Sequence, residues 1–294
     1  MKNRREKTQK KEIGYPEEFH SNSEWWQTLY NDDVWNEIYV GHKRFILAQA
    51  EVEQILKRIG KTNSTINPQT SVLDVPCGQG RHSFVFADLG YQVTGIDFSS
   101  KQIALAKNHI KDLKTENCQV KSYNLSFKEG NMLDLSTYQI KYDIVTCLWN
   151  SWGYFEEVQQ NWEALKQLLN AVKPEGYFVL NNVHKAGVAY KIVRESEGSK
   201  NYRTSREETN SGTAYNLFWA SPNANKYVGE VILLKKDGTY FRQIYEQKIF
   251  ALEDIREFIR QEGFKEIDLW GNLDSDEEFE ENNWYFSLAV QKIH

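Results

Sequence analysis

The 294-residue chain has little cysteine, no long apolar run and no surplus of positive charge. Its three cysteines, Cys77, Cys118 and Cys147, are odd in number and lack metal-ligand spacing. That pattern argues against a disulfide framework or a zinc site, and fits a reducing, cytoplasmic setting. No apolar stretch approaches the ~18 residues a membrane-crossing helix needs. The basic opening MKNRREKTQKKE runs into IGYPEEFH and not into an apolar segment, so it does not read as a secretory signal. Residues 1–20 read instead as a solvated, disordered tail. A net charge of −5 argues against a general nucleic-acid binder, which carries a basic face. Internal repeats are also missing, and the acidic DSDEEFEEN near the end reads as a solvated loop.

What is present suits a folded α/β protein. Hydrophobic residues make up 40% of the chain, enough for a core, and 14% are aromatic, including 9 Trp. In HKRFILAQAEVEQILKRIG, Val52, Ile55, Leu56 and Ile59 recur at helical spacing, and Gly60 is a stop. VLDV, from Val72, is a short strand ended by Pro76 and Gly78. RHSFVFADLG is helical, YQVTGIDF is a second strand, and SSKQIALAKNHIKDLK is a helix capped by Ser99 or Ser100, with Ile103, Ala106, Ile110 and Leu113 on one face. YDIVTCLWN is a strand apolar enough to be buried on both sides. EEVQQNWEALKQLLNAVK is a helix with Val158, Trp162, Leu165, Leu169 and Val172 inward, PEG breaks it, and YFVLNNVH is another buried strand. This alternation predicts a doubly wound, mostly parallel sheet with helices on both faces. After about residue 190 the rhythm changes. GTAYNLFWA, KYVGEVILLKK and TYFRQIYEQKIF are strand-like, and KKDGTY supplies a hairpin turn, so an antiparallel insertion is expected. LEDIREFIRQEGF, KEIDLWGN and NWYFSLAVQKI return the chain to the main sheet.

Ligands of open α/β sheets sit beyond the carboxyl ends of the strands, where strand order reverses. VLDVPCGQGRHSF supplies such a position, with Gly78 and Gly80 letting backbone approach a ligand. Asp97 ends the next strand, 17 residues after Gly80, a spacing suited to a carboxylate that accepts from a ribose diol. Two ligands fit these residues. A nicotinamide dinucleotide needs glycine or alanine three after the second glycine, where Ser83 stands. S-adenosylmethionine has a ribose and adenine but no phosphate. His82, early in the helix, reads as a packing or capping residue.

VLDVPCGQGRH, VTGIDFS, FKEGNMLDL, YDIVTCLWNSWGYF and LLNAVKPEGYFVL follow one another in order. Together they resemble the class I S-adenosylmethionine-dependent methyltransferases, in particular the small-molecule type with a late β-rich insertion. The resemblance covers residues 45–185 strongly and the last strands weakly. It implies a seven-stranded sheet, S-adenosylmethionine as cofactor and no metal. By position it implies that Asp74 and the loop Pro76, Cys77, Gly78, Gly80 and Arg81 lie against the methionyl and ribose part. Asp97 would hold the ribose hydroxyls, Phe98 would pack on the adenine, and Asn131 and Met132 would meet its edge. Leu148 and Trp149 would lie near the methionyl end. Two positions depart from the family: Pro76 stands where glycine is frequent, and Asn131 where aspartate is common.

The implied layout is a lid at 21–60, a cofactor-binding core at 61–190, a β insertion at 191–250 that shapes the acceptor pocket or a dimer contact, and a closing segment at 251–294. Trp25, Trp26, Tyr30 and Trp35 are expected in the lid. Asn150, Trp152 and Tyr154 are expected at the acceptor, with His184 as a base. The residues after TCL are not the Asn/Asp-Pro-Pro-aromatic signature of enzymes that methylate base or glutamine amines. A small molecule or short peptide is therefore the expected acceptor, N- or O-methylated by a monomer or homodimer. Other classes remain open: a nicotinamide oxidoreductase, an RNA methyltransferase, and a non-catalytic cofactor-binding module.

Overall fold

Val72, Leu73 and Asp74 alternate their side chains across a strand buried on both faces, and this alternation organises the molecule. The computed structural model describes residues 24–33, 42–61, 69–115, 124–138, 141–189, 202–220 and 225–293. The expected tail at 1–20 and Trp35 lie outside them.

The main sheet has seven strands: β1 (Ser71–Asp74), β2 (Gln92–Asp97), β3 (Leu125–Glu129), β4 (Tyr142–Cys147), β5 (Val172–Val183), β10 (Phe264–Trp270) and β11 (Tyr285–Lys292). Their spatial order is β10-β11-β5-β4-β1-β2-β3. The first five run parallel, while β11 is antiparallel to both β5 and β10. Strand order reverses between β1 and β4.

Helices cover both faces. Val72, Ile144, Val179 and Ala289 point to a core closed by α2 (His42–Arg58) and by α3 (Arg81–Asp88), with Ala48, Val52, Ile55 and Phe86 buried. Their neighbours Leu73, Val145, Phe178 and Leu288 point to the opposite core. There α5 (Val158–Asn170) and α7 (Leu252–Gln261) contribute Ala164, Leu165, Leu168, Ile255 and Ile259. Each such Leu or Ile side chain stabilises the fold by roughly 1.5–3 kcal/mol. A smaller cluster joins Ile103 and Ala106 of α4 (Ser100–Thr115) to Phe84 and Phe127.

The α5 face differs from its expected register. Val158 is exposed, Val172 already belongs to β5, and Ala164 and Leu168 complete the buried stripe. The cause is end position: Val158 opens the helix, and the buried stripe begins only at Asn161.

The insertion is a separate antiparallel sheet, β6 (Tyr202–Glu208), β7 (Gly212–Ala220), β8 (Lys226–Lys235) and β9 (Tyr240–Lys248), in that order. The Asp237–Gly238 turn joins β8 to β9, with Gly238 at φ +85°. Sequence reading missed β6, because YRTSREE lacks the apolar alternation of a half-buried strand. A short helix α1 (Trp25–Tyr30) bridges the two sheets, and α6 (Lys185–Ala189) follows β5. No helix of the described residues is long and apolar enough to cross a membrane.

Candidate active site

The loop after β1 is tied to the strands on both sides. Val75 N–H donates to Thr146 O of β4 (3.0 Å), and Cys77 N–H donates to Ile96 O of β2 (2.9 Å). The Val75–Pro76 peptide between them is cis. Gly80 (φ +82°) then turns the chain into α3. A Cβ there would lie 2.3 Å from Phe127 Cζ, so glycine is required by conformation and by space.

Asp97 ends β2 facing this loop. Its Oδ2 accepts from Gly78 N–H (2.7 Å) and its Oδ1 from Ser99 N–H (2.8 Å). Burial raises its pKa to about 6; the two N–H donors oppose that rise and the charge of Asp74 adds to it. Each oxygen keeps a lone pair, so the ionised carboxylate can take two more donors. Ser99 also caps α4, its Oγ accepting from Gln102 N–H (3.1 Å).

These groups face a cavity of about 1240 Å³, open mouth included, beyond the ends of β1, β2 and β4. It lies at the reversal of strand order, where open α/β sheets bind ligands. Of the residues expected to hold cofactor, Pro76, Cys77, Gly78, Arg81, Asp97 and Phe98 line it, as do Asn131, Met132, Leu148 and Trp149. Asn131 Oδ1 accepts from Leu133 N–H (2.9 Å), which sets the amide against the wall.

Trp26, Tyr30 and Tyr154 close one side. Tyr30 Oη and Tyr154 Oη are hydrogen-bonded at 2.9 Å. Trp26 stands edge-on to Phe98, with centroids 4.5 Å apart. Trp25 is buried between Tyr154 (5.1 Å) and Tyr245 of β9 (5.4 Å). The end of α1 is fastened to α4 by Gln102 Nε2 donating to Tyr30 O (2.8 Å) and Ser99 Oγ donating to Asn31 Oδ1 (2.6 Å). Burial pushes the Tyr154 hydroxyl well above its ordinary pKa, so it stays protonated at neutral pH.

Several expected residues do not reach the cavity. Asp74 is buried behind the loop, accepting from Ser83 Oγ (2.6 Å) and Thr146 Oγ1 (3.1 Å), and so joins α3 to β4. Gly80 acts through its backbone turn alone. Asn150 directs its Oδ1 to Val183 N–H (3.1 Å) and its amide to Gln247. Trp152 is a core residue: it is fully buried, donates Nε1–H to Asn161 O (2.6 Å) and packs on Trp162 and Phe250. His184 lies beyond β5, with Nδ1 accepting from Gly187 N–H (3.3 Å) and its ring against Phe279. Burial lowers its pKa, and it contributes nothing to the cavity wall.

The wall also includes His82, Ser99, Gln102, Ser151 and Phe155, which sequence reading did not select. Most neighbour a motif residue, and that adjacency was the available signal. Glu51 had none. It sits on α2, almost fully buried, and its Oε2 is 2.7 Å from both Arg81 Nη1 and His82 Nε2. Its Oε1 accepts from Trp149 Nε1 (2.7 Å). The Arg81 guanidinium stacks 4.2 Å from the Trp149 ring centroid. Burial acts to raise the Glu51 pKa, but hydrogen bonds from His82 and Trp149 and the charge of Arg81 outweigh it and leave it lowered. Burial, aided by the charge of Arg81, outweighs the raising effect of Glu51 and lowers the pKa of His82, so the neutral ring is favoured.

A doubly wound sheet with a glycine loop at its switch point and an acid ending β2 defines a Rossmann-like, nucleotide-cofactor-binding protein. The methyltransferase-domain family model (Methyltransf_31) matches residues 66–248, more than half of the chain. The chain belongs to that family and is an S-adenosylmethionine-dependent methyltransferase. It is similar to a putative methyltransferase, GWCH70_2453, of Geobacillus sp. (strain WCH70), with 22% identity over 276 residues, 92% of this chain and 98% of that one. Its fold is similar to that of the CcbJ methyltransferase from Streptomyces caelestis (TM-score 0.70, 14% identity, 90% of this chain and 98% of that one). It is also similar to that of CalS10, an amino pentose methyltransferase from Micromonospora echinaspora solved with its cofactor bound (TM-score 0.61, 17% identity, 87% and 96%).

Proposed function

We propose that this enzyme methylates a nitrogen or oxygen of a small molecule or short peptide inside the cavity closed by α1. The observation that carries this reading is the aromatic closure, in which Tyr30 and Tyr154 meet at 2.9 Å. A site closed this way takes a small acceptor more readily than a folded macromolecule. The negative net charge supports the same choice over RNA.

The residues present suit the cofactor. Asp97 has two unused lone pairs for ribose hydroxyls, and Phe98 offers a flat apolar face for the adenine. Asn131 and Met132 would meet the adenine edge, while Arg81, Leu148 and Trp149 would hold the amino-acid end. When bound, S-adenosylmethionine supplies a methyl group already activated on a positive sulfur. The chain's part is to align the acceptor, exclude water and place aromatic faces near the positive charge. Tyr154, protonated and directed by Tyr30, hydrogen-bonds the acceptor and orients it. Cys77 and Cys147, free and buried, fit a cytoplasmic enzyme.

Labelled S-adenosylmethionine incubated with fractionated metabolites, peptides and total RNA, read by mass spectrometry, tests this reading. Label is expected in the low-mass fraction. Label confined to RNA or protein, or to no fraction at all, would refute it.

A further inference from the structure

Glu51 lies outside the family-matched segment and does not line the cavity, yet it holds three side chains that do. Arg81 and His82 come from the β1–α3 junction, and Trp149 from the end of β4. Separate loops reach these positions, and their common anchor is one carboxylate on α2. Its three contacts are all 2.7 Å, the short end of charge-assisted hydrogen bonding.

The consequence concerns one end of the cavity. Among the described residues lining it, Arg81 carries the one permanent positive charge. A ligand with an amino-acid end places its carboxylate by charge complementarity at Arg81. Asp97 ends β2 and Asn131 follows β3, on the opposite side of β1 from Trp149. Arg81 is long and flexible, and holding it costs side-chain entropy unless something fixes its plane. Glu51 holds Nη1, and the Trp149 ring supports the guanidinium face. Trp149 is itself held at φ +57°, a conformation that side chains avoid, with its indole N–H on Glu51.

We propose that Glu51 is the positioning residue for the amino-acid end of the cofactor, acting through Arg81, His82 and Trp149. This rests on the cavity being the cofactor site. Glutamine at this position keeps one acceptor oxygen and turns an N–H toward groups that also donate. Arg81, His82 and Trp149 then lose their common register, while the Asp97 end is untouched.

The test compares two ligands on the full chain by calorimetric titration. S-adenosylhomocysteine has both ends; 5′-methylthioadenosine has the adenosine and sulfur but no amino-acid end. Glu51→Gln is expected to weaken S-adenosylhomocysteine about tenfold and to leave methylthioadenosine within about twofold. Equal weakening of both ligands, or of neither, overturns the proposal. Should Glu51→Gln fail to fold, Glu51→Asp keeps the charge but withdraws it by one methylene from its three donors. A selective loss for S-adenosylhomocysteine then supports the role, and no selectivity overturns it. Wild-type protein that binds neither ligand is a different result, which overturns the cofactor reading and the role of Glu51 with it.

Discussion

The carboxylate of Asp97 is buried, yet it holds two backbone N–H groups and has capacity for two further donors. With its pKa raised from 3.8 to about 6, the folded protein binds this proton more tightly than the unfolded chain does. Asp97 therefore favours the fold fully at low pH and loses that contribution as pH rises through about 6, a cost of roughly 3 kcal/mol at neutral pH. Ligand hydroxyls need the ionised form, so the dependence for binding has the opposite sign. S-adenosylhomocysteine affinity is expected to fall as pH drops through about 6. Asp97→Asn should weaken binding at about pH 8 and flatten that profile; titration calorimetry from about pH 5 to about pH 8 measures both, and an unchanged slope would count against the role. Asp97 was legible because strand-end position and glycine spacing are sequence properties. Glu51 was not, since its partners are 30, 31 and 98 residues away along the chain. Of the left-handed pair Trp149 and Asn150, only the second could have been suspected, because asparagine is enriched at positive φ and tryptophan is not.

At the scale of elements, periodicity carried most of the information. The stripe of Val52, Ile55 and Leu56 on α2, with Ile59 just past its end, is buried as its spacing predicts. The polar edge strand β6 escaped notice because it is held by pairing with β7 and not by an apolar face. Trp152 was misplaced for a related reason: a Trp beside a motif can face the ligand or the core, and only the position of Trp162 and Phe250 decides which. The short helix α1 is where chemistry and packing meet. Trp26→Ala removes the edge-on partner of Phe98 and one cavity wall, an aromatic contact worth about 1 kcal/mol. S-adenosylhomocysteine binding is expected to weaken about fivefold, measured by calorimetry. Unchanged affinity for it would mean that α1 packs on the sheet without serving the cofactor.

The whole molecule joins two sheets, and the joint lies next to the cavity. Gln247 of β9 is buried, and its Nε2 donates to Trp152 O (2.7 Å) and Asn150 Oδ1 (2.7 Å). Lys248 N–H donates to Gly153 O (2.8 Å), so the segment carrying Ser151 and Tyr154 is held by the second sheet. Gln247→Leu leaves buried acceptors unsatisfied and is expected to cost about 1–3 kcal/mol in urea unfolding. S-adenosylhomocysteine affinity should stay within about twofold, while methyl transfer to the acceptor falls about tenfold or more through misalignment. Equal losses in both would mean that the two sheets are not separable in function. The sequence by itself determined the alternation of strands and helices, the glycine loop, the acid that ends β2 and the family, because each is written in local spacing. Tertiary structure decided which polar groups meet: Glu51 with Arg81, His82 and Trp149, Tyr30 with Tyr154, and Gln247 with Asn150. Those contacts join residues far apart in the chain, and a buried hydrogen bond depends on where two strands end in space, which no local pattern encodes.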